Sequence, residues 1–287
     1  MTGGSKFGIR DDAVLTRPTV YQPGLFAGQV VMVSGAGSGI GRAIAMLYAR
    51  LGAKLVICGR GEAELDTCAR ELRGLGSPDV LVQALSIGEP AQVERLMNRA
   101  WPHFGRVDVL VNIPSAHPAQ RALDFTVAGW KAVIESNLNG TWYMMHAMAR
   151  RWRDSGTPGN IVNLVATFQR GMPGLAHVCA ASSAVAYLAK AIAVEWAEYR
   201  IRINGVAANV IHNGGFPLPA PEAHGSAAAA NPLKRAGNVQ DVAEAVIYLS
   251  APSGNFVTGE LLTVDGGSVL WGEMWAGPKS DYFIVKP

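Results

Sequence analysis

"QVVMVSGAGSGIGRAIAMLYARLGAKLVICGR", residues 29–60, decides the fold. A short apolar run leads into a glycine-rich turn in which Gly35, Gly39 and Gly41 are spaced four and two residues apart. An amphipathic stretch follows, and a second apolar run ends near Cys58. Apolar runs of strand length joined by a helix-length segment are the signature of parallel strands covered on both faces. Gly35, Gly39 and Gly41 sit where the first strand gives way to the helix. There, glycine lets the backbone turn tightly and approach a phosphate, while the helix start supplies free N–H groups and a partial positive charge.

The rhythm continues along the chain. "VLVQALSI" (80–87) reads as a third strand, "AQVERLMNRAWPHF" (91–104) as a helix and "VDVLVNI" (107–113) as a fourth strand. A helix over 130–152 precedes the strand "GNIVNLVA" (159–166). The alanine-rich helix 176–196 precedes "RINGVAANVI" (202–211), and the helix 239–250 precedes "LLTVDGG" (261–267). The expectation is an α/β fold, a Rossmann-type doubly wound parallel sheet of about seven strands with helices on both faces. It fills one domain over residues 28–272, after an N-terminal arm (1–27) and before a C-terminal tail (273–287). Residues 212–232, rich in Gly, Pro and Ala, read as a lid loop over the carboxyl end of the sheet.

Composition narrows the function. The chain has 287 residues, 49% of them hydrophobic and 16% charged, with a formal net charge of +3. That charge is too small to mark a nucleic-acid binder, and the high apolar content points to faces hidden in an oligomer. Cys58, Cys68 and Cys179 show neither a CxxC pair nor zinc spacing, which reads as reduced thiols in the cytoplasm and no metal site. No uninterrupted apolar run of membrane-span length stands out, and no partner membrane is expected.

At the end of the second strand the pair Gly59-Arg60 stands where NAD enzymes usually place an acid for the ribose hydroxyls. A guanidinium there suits a 2′-phosphate, so NADP(H) is the expected cofactor if a dinucleotide binds. Its contacts would be Gly35, Ser38, Gly39, Ile40, Gly41, Arg60 and Asn112.

The stretches "SGAGSGIGRA", "DVLVN", "ESNLNGTWYMM", "GNIVNL", "AVEWAEYRIRINGVA" and "VTGELLTVDGG" together resemble the short-chain dehydrogenase/reductase family, from about residue 24 to 272. Within it the chain looks most like the trans-2-enoyl-CoA reductase and acyl-CoA-type branch, through "GWKAVIESNLNGTWYM" and the helix that opens at Ala176. The resemblance implies a tyrosine that moves the proton, a lysine that lowers its pKa, a serine that steadies the substrate oxygen and an asparagine that anchors a water. Asn137 keeps the last position. The serine position is Ala166, and the tyrosine and lysine positions are Val178 and Ser182. Alanine and valine side chains carry no hydrogen-bonding or proton-transferring group. A tyrosine two residues beyond the serine position, used by dienoyl-CoA reductases of this neighbourhood, is here Phe168.

Other departures surround the same pocket. The family's Asn-Asn-Ala-Gly reads Asn112-Ile113-Pro114-Ser115, and the aspartate that meets the adenine is Ser86. Its Pro-Gly beside the nicotinamide is Ala208-Asn209, and the carboxamide-holding threonine is Asn213. What the resemblance implies is a redox-silent or non-standard member that has lost much of its dinucleotide pocket, either a homo-oligomer or the non-catalytic subunit of a hetero-oligomer with another chain of the family. Its dimer interface would use helices 130–152 and 176–196, with Val185, Leu188, Ala189 and Ile192 in close packing. Two alternatives stay open. One is an active NADP(H)-dependent reductase of an enoyl- or ketoacyl-thioester, using Asn137, Thr167 and Ser182. The other is a non-redox isomerase or cyclase with His177, His212 and Asn213 as polar candidates. For His177, His212 and His117 a surface or loop position is expected, and for Cys179 a core position.

Overall fold

A computed structural model describes residues 16–115, 117–209, 211–212 and 231–271. Most of the expected lid, the tail 273–287 and Asn213 therefore lie outside the described residues. The elements run β1 (Val30–Ser34), α1 (Gly39–Arg50), β2 (Lys54–Gly59), α2 (Glu62–Gly74), β3 (Val80–Ala84), α3 (Pro90–Phe104) and β4 (Val109–Asn112). Then follow α4 (Val127–Ile134), a π-helical turn (Glu135–Asn139), α5 (Gly140–Ser155), β5 (Gly159–Ala166), α6 (Ala176–Glu195) and β6 (Ile201–Ala208). The remainder is β7 (Ile211–His212), β8 (Gly237–Asn238), α7 (Val239–Ser250) and β9 (Leu261–Val264).

Seven of these strands form one parallel sheet in the order β3-β2-β1-β4-β5-β6-β9. The order reverses between β1 and β4, so the crossovers leave a crevice at the carboxyl ends there. Alternation along β1 shows how the sheet is buried twice. Val31 and Val33 join the core under α1 and α7, while Val30 and Met32 join the one under α3, α5 and α6. Every residue of β1 is buried, as a strand covered on both faces requires.

Residues 16–27 of the expected arm lie against the sheet domain. Phe26 is fully buried edge-on against Tyr48 of α1. Tyr21 donates its hydroxyl to the Glu244 carbonyl on α7 at 3.0 Å.

Three expectations are corrected. The helix expected over 130–152 starts earlier, at Val127, and carries the π-helical turn in its middle. One extra residue in the turn widens it and re-aims the side chains at its centre. The stripe Val185, Ala189 and Ile192 does not face a second subunit: all three are buried against the sheet. The outward face of α6 carries Tyr187 and Val194, 69% and 79% exposed. Finally, Ala176–Tyr199 is long and apolar enough to cross a membrane by length and composition. Its buried face nevertheless packs on the central sheet strands, and a core helix with that environment reads as apolar for the same reason a span does.

Candidate functional site

A cleft of about 910 Å³ runs along the carboxyl ends of the strands, from the glycine turn past β4 to the start of α6. At one end, β1 turns through Gly35, whose φ of +70° is left-handed. Gly35 and Ala36 both donate their N–H groups to the Cys58 carbonyl, at 2.8 and 3.3 Å, which ties the turn to the end of β2. A Cβ on Gly41 would overlap the Gly35 carbonyl oxygen, so only glycine lets α1 enter this close to the turn. Ser38, at the N-cap of α1, makes no side-chain cap, and the first turn of the helix holds no acidic residue. Its leading N–H groups and the positive end of its dipole are thus available to an anion. Arg60 is exposed on the rim of the same cleft, and Gly35, Ser38, Gly39, Ile40 and Gly41 all line it. These residues fit the phosphates of a dinucleotide.

At the other end the wall includes apolar residues. Ala166 and Val178 both line the cleft. Ser182 is buried, and its Oγ accepts the N–H of Ala166 at 3.2 Å. One lone pair of that hydroxyl is thereby tied to the end of β5. Ile113 stands over the glycine turn, since a Cβ at Gly35 would lie 3.1 Å from the Ile113 Cβ. Asn112 is not among the lining residues. Its side chain is buried below the floor, donating to Asn163 Oδ1 at 2.9 Å, while its own Oδ1 is without a partner among the described residues.

Between the two ends lies a polar group that sequence reasoning assembled only in part. Asn137, in the middle of the π-helical turn, accepts the Ser115 N–H at 3.0 Å and donates to the Ser115 carbonyl at 3.1 Å. The neighbouring Ser136 donates its hydroxyl to Asn137 Oδ1 at 3.0 Å or to the Val133 carbonyl at 3.3 Å. His117 Nε2 lies 3.3 Å from Ser136 Oγ, and both residues line the cleft. Burial, with His177 and Arg60 adding to it, holds the His117 imidazole below its usual pKa, and a hydrogen bond with Asn137 opposes them.

His177 was expected at the surface, but it is 2% exposed in the first turn of α6. Its ring packs on Phe125 at 4.3 Å and lies 6.0 Å from that of His117. Burial lowers its pKa as well, and its Nδ1 is buried without a partner among the described residues. Cys179, expected in the core, is only partly buried. The signal for Ser136 was its place beside Asn137 in "ESNLNG", but a serine next to an asparagine is too common a pair to select by itself.

A second hollow of about 510 Å³ lies beyond β6 and β9, lined by Arg235, Asp241 and Glu244 among others. It borders the undescribed segment and holds none of the residues just described.

A doubly wound parallel sheet, with a glycine turn feeding a helix start at the switch point, defines a dinucleotide-binding oxidoreductase class. Residues 35–269 match the family described as Enoyl-(Acyl carrier protein) reductase, and the chain belongs to the short-chain dehydrogenase/reductases. The chain is 33% identical to a peroxisomal 2,4-dienoyl-CoA reductase of Arabidopsis thaliana over 88% of its own length and 87% of the relative's. It is 31% identical to a probable 2,4-dienoyl-CoA reductase of Bacillus subtilis, over 84% of this chain and 97% of that one. Among solved structures, a short chain dehydrogenase from Bacillus anthracis superposes with a TM-score of 0.80 at 31% identity, covering 86% of this chain and 98% of that one.

Proposed function

We propose that this chain binds NADP(H) and an acyl-thioester ligand in the cleft but lacks the Ser/Tyr/Lys route by which its family moves protons. It is a redox-silent or non-standard member, acting as an oligomer with itself or with a second chain of the family. The observation that carries this reading is the pairing of Ser182 Oγ with the Ala166 N–H, with Val178 in the wall beside them. Alanine and valine at the Ser and Tyr positions have no proton to give, and Ser182 at the Lys position is buried behind the cleft wall rather than lining it.

The Gly35–Gly41 turn and Arg60 would hold the dinucleotide phosphates, and a bound NADPH would supply a hydride donor. Supporting NADP(H) over NAD(H) is the guanidinium at the rim of the cleft. The single-domain division at residues 28–272 and a cytoplasmic location belong to the same proposal, the latter resting on unpaired cysteines.

A second reading has its own support in the likeness to 2,4-dienoyl-CoA reductases. Reduction of a conjugated thioester asks less of a tyrosine than ketone reduction does, because the activated double bond is itself the hydride acceptor. Calorimetric titration with NADPH, alongside an absorbance assay of NADPH oxidation by a 2,4-dienoyl-CoA, separates the readings. Binding without oxidation supports the silent member, and turnover supports the reductase. Arg60→Ala is expected to weaken NADPH by about 10- to 100-fold, on the scale of a lost charge-assisted contact, and to leave NADH affinity nearly unchanged. No NADPH binding at millimolar concentration would sink both readings.

A further inference from the structure

The hydrogen bonds around Asn137 fix more than a loop. Asn137 meets both backbone groups of Ser115, whose N–H can only donate and whose carbonyl can only accept. That double contact settles which end of the Asn137 amide is oxygen. Oδ1 is therefore an acceptor facing Ser136 at 3.0 Å, shorter than the 3.3 Å that separates Ser136 Oγ from the Val133 carbonyl or from His117 Nε2. With the hydroxyl proton on that shorter contact, Ser136 Oγ accepts from His117 Nε2. The neutral imidazole is then the Nε2–H tautomer, with its lone pair on Nδ1.

We propose that His117 is the proton-transfer group of the cleft, a base that acts through Nδ1 on the acidic α-carbon of a bound 3-oxoacyl thioester. This rests on the acyl-thioester reading above and supplies the proton acceptor that Val178 cannot. Both His117 and Val178 line the same cleft, and the ring of His177, next in sequence to Val178, lies 6.0 Å from that of His117. The groups acting on His117 are His177 from α6, Arg60 from the end of β2 and Asn137 from the π-helical turn. Burial and the two cationic or ionisable neighbours favour the neutral ring, which is the form a base needs. In the step, the α C–H bond breaks, an N–H bond forms on Nδ1 and the electron pair enters the thioester enolate. Return of a proton to the same or a conjugated carbon restores the imidazole. No oxidant or reductant takes part.

The test is deuterium wash-in at C2 of acetoacetyl-CoA in D2O, followed by proton NMR with no dinucleotide present. Saturation-transfer NMR on the same sample reports binding. We expect bound acetoacetyl-CoA to exchange about a hundredfold faster than in buffer, the scale of general-base catalysis. His117→Gln should return the rate to that of buffer while binding persists. The rate should rise with pH through a value below the usual histidine range and then level off, since the neutral ring is the active form. Ser136→Ala, which keeps the ring but releases its tautomer, should slow exchange about threefold to tenfold, between wild type and the general-base scale. This variant decides the matter if His117→Gln does not fold. Binding without faster exchange, or wild-type rates in the variant that folds, overturns the role of His117 and leaves the acyl-thioester reading standing. Failure of acetoacetyl-CoA to bind overturns both.

Discussion

His177 shows how a single side chain can be placed against its chemistry. A buried ring with an unpartnered Nδ1 forfeits the hydrogen bond it had with water, at a cost of about 1–3 kcal/mol. His177→Phe keeps a ring against Phe125 and removes the stranded nitrogen. We expect it to raise stability at pH 7.5 by about 1 kcal/mol, read as a higher urea midpoint with an unchanged slope. Because burial lowers the folded-state pKa of His177, the unfolded chain takes up a proton first as pH falls. Stability is therefore unaffected by this group above the unfolded value near 6.5, and declines below it until the folded pKa is passed. The variant should lose less stability than wild type between pH 6.5 and 5, and equal acid limbs would show that His177 is not the titrating group. The sequence did not disclose this burial because Phe125, the residue that covers the ring, comes from a loop some fifty positions earlier. The placement of Arg60 and the glycine turn along one cleft was, by contrast, legible, because it depends on a strand and helix next to them in the chain.

At the scale of elements, the apolar runs identified all seven strands of the main sheet, because a strand buried on two faces has no polar alternation to blur it. The π-helical turn between α4 and α5 was not legible. One extra residue within "ESNLNG" leaves composition and average periodicity untouched, yet it decides where Asn137 points. That turn works as a bracket for the loop after β4. Three polar contacts converge on the Asn137 amide, two of them holding Ser115 from both sides. Asn137→Ala should leave the Ser115 N–H and carbonyl without partners and lower unfolding stability by about 2–3 kcal/mol. Asn137→Asp keeps the acceptor but loses the donor, so its loss should fall between zero and that of alanine. A urea series on the three proteins checks the order. If Asn137→Ala costs less than about 0.5 kcal/mol, within the ordinary range for surface changes, the turn does not hold the loop.

At the scale of the whole molecule, the outward surface of α6 is where a second copy is expected to pack. Sequence periodicity found a close-packing stripe on the helix at 176–196 and gave it to a neighbour, but those positions are buried in the chain's own core. A period of 3.6 identifies an apolar face without saying what covers it, and α6 is apolar on two faces. Its outward face presents Tyr187 and Val194, seven residues apart and so on one side of the helix. Trp196, two residues beyond Val194, lies 6.1 Å from Trp142 of α5, which stacks on His146 at 5.1 Å. Fully burying a side chain of this kind releases about 1.5–3 kcal/mol. Two such residues from each of two copies would contribute to a pairing through this face. The double variant Tyr187→Glu with Val194→Glu places charge on the stripe without touching the core or the cleft. In light scattering after size exclusion, we expect the mass per particle to drop by half or more. The thermal midpoint should depend on protein concentration in the wild type and no longer do so in the variant. An unchanged mass, or a wild type that runs as a monomer at micromolar concentration, would show that α6 keeps its second apolar face for some other purpose.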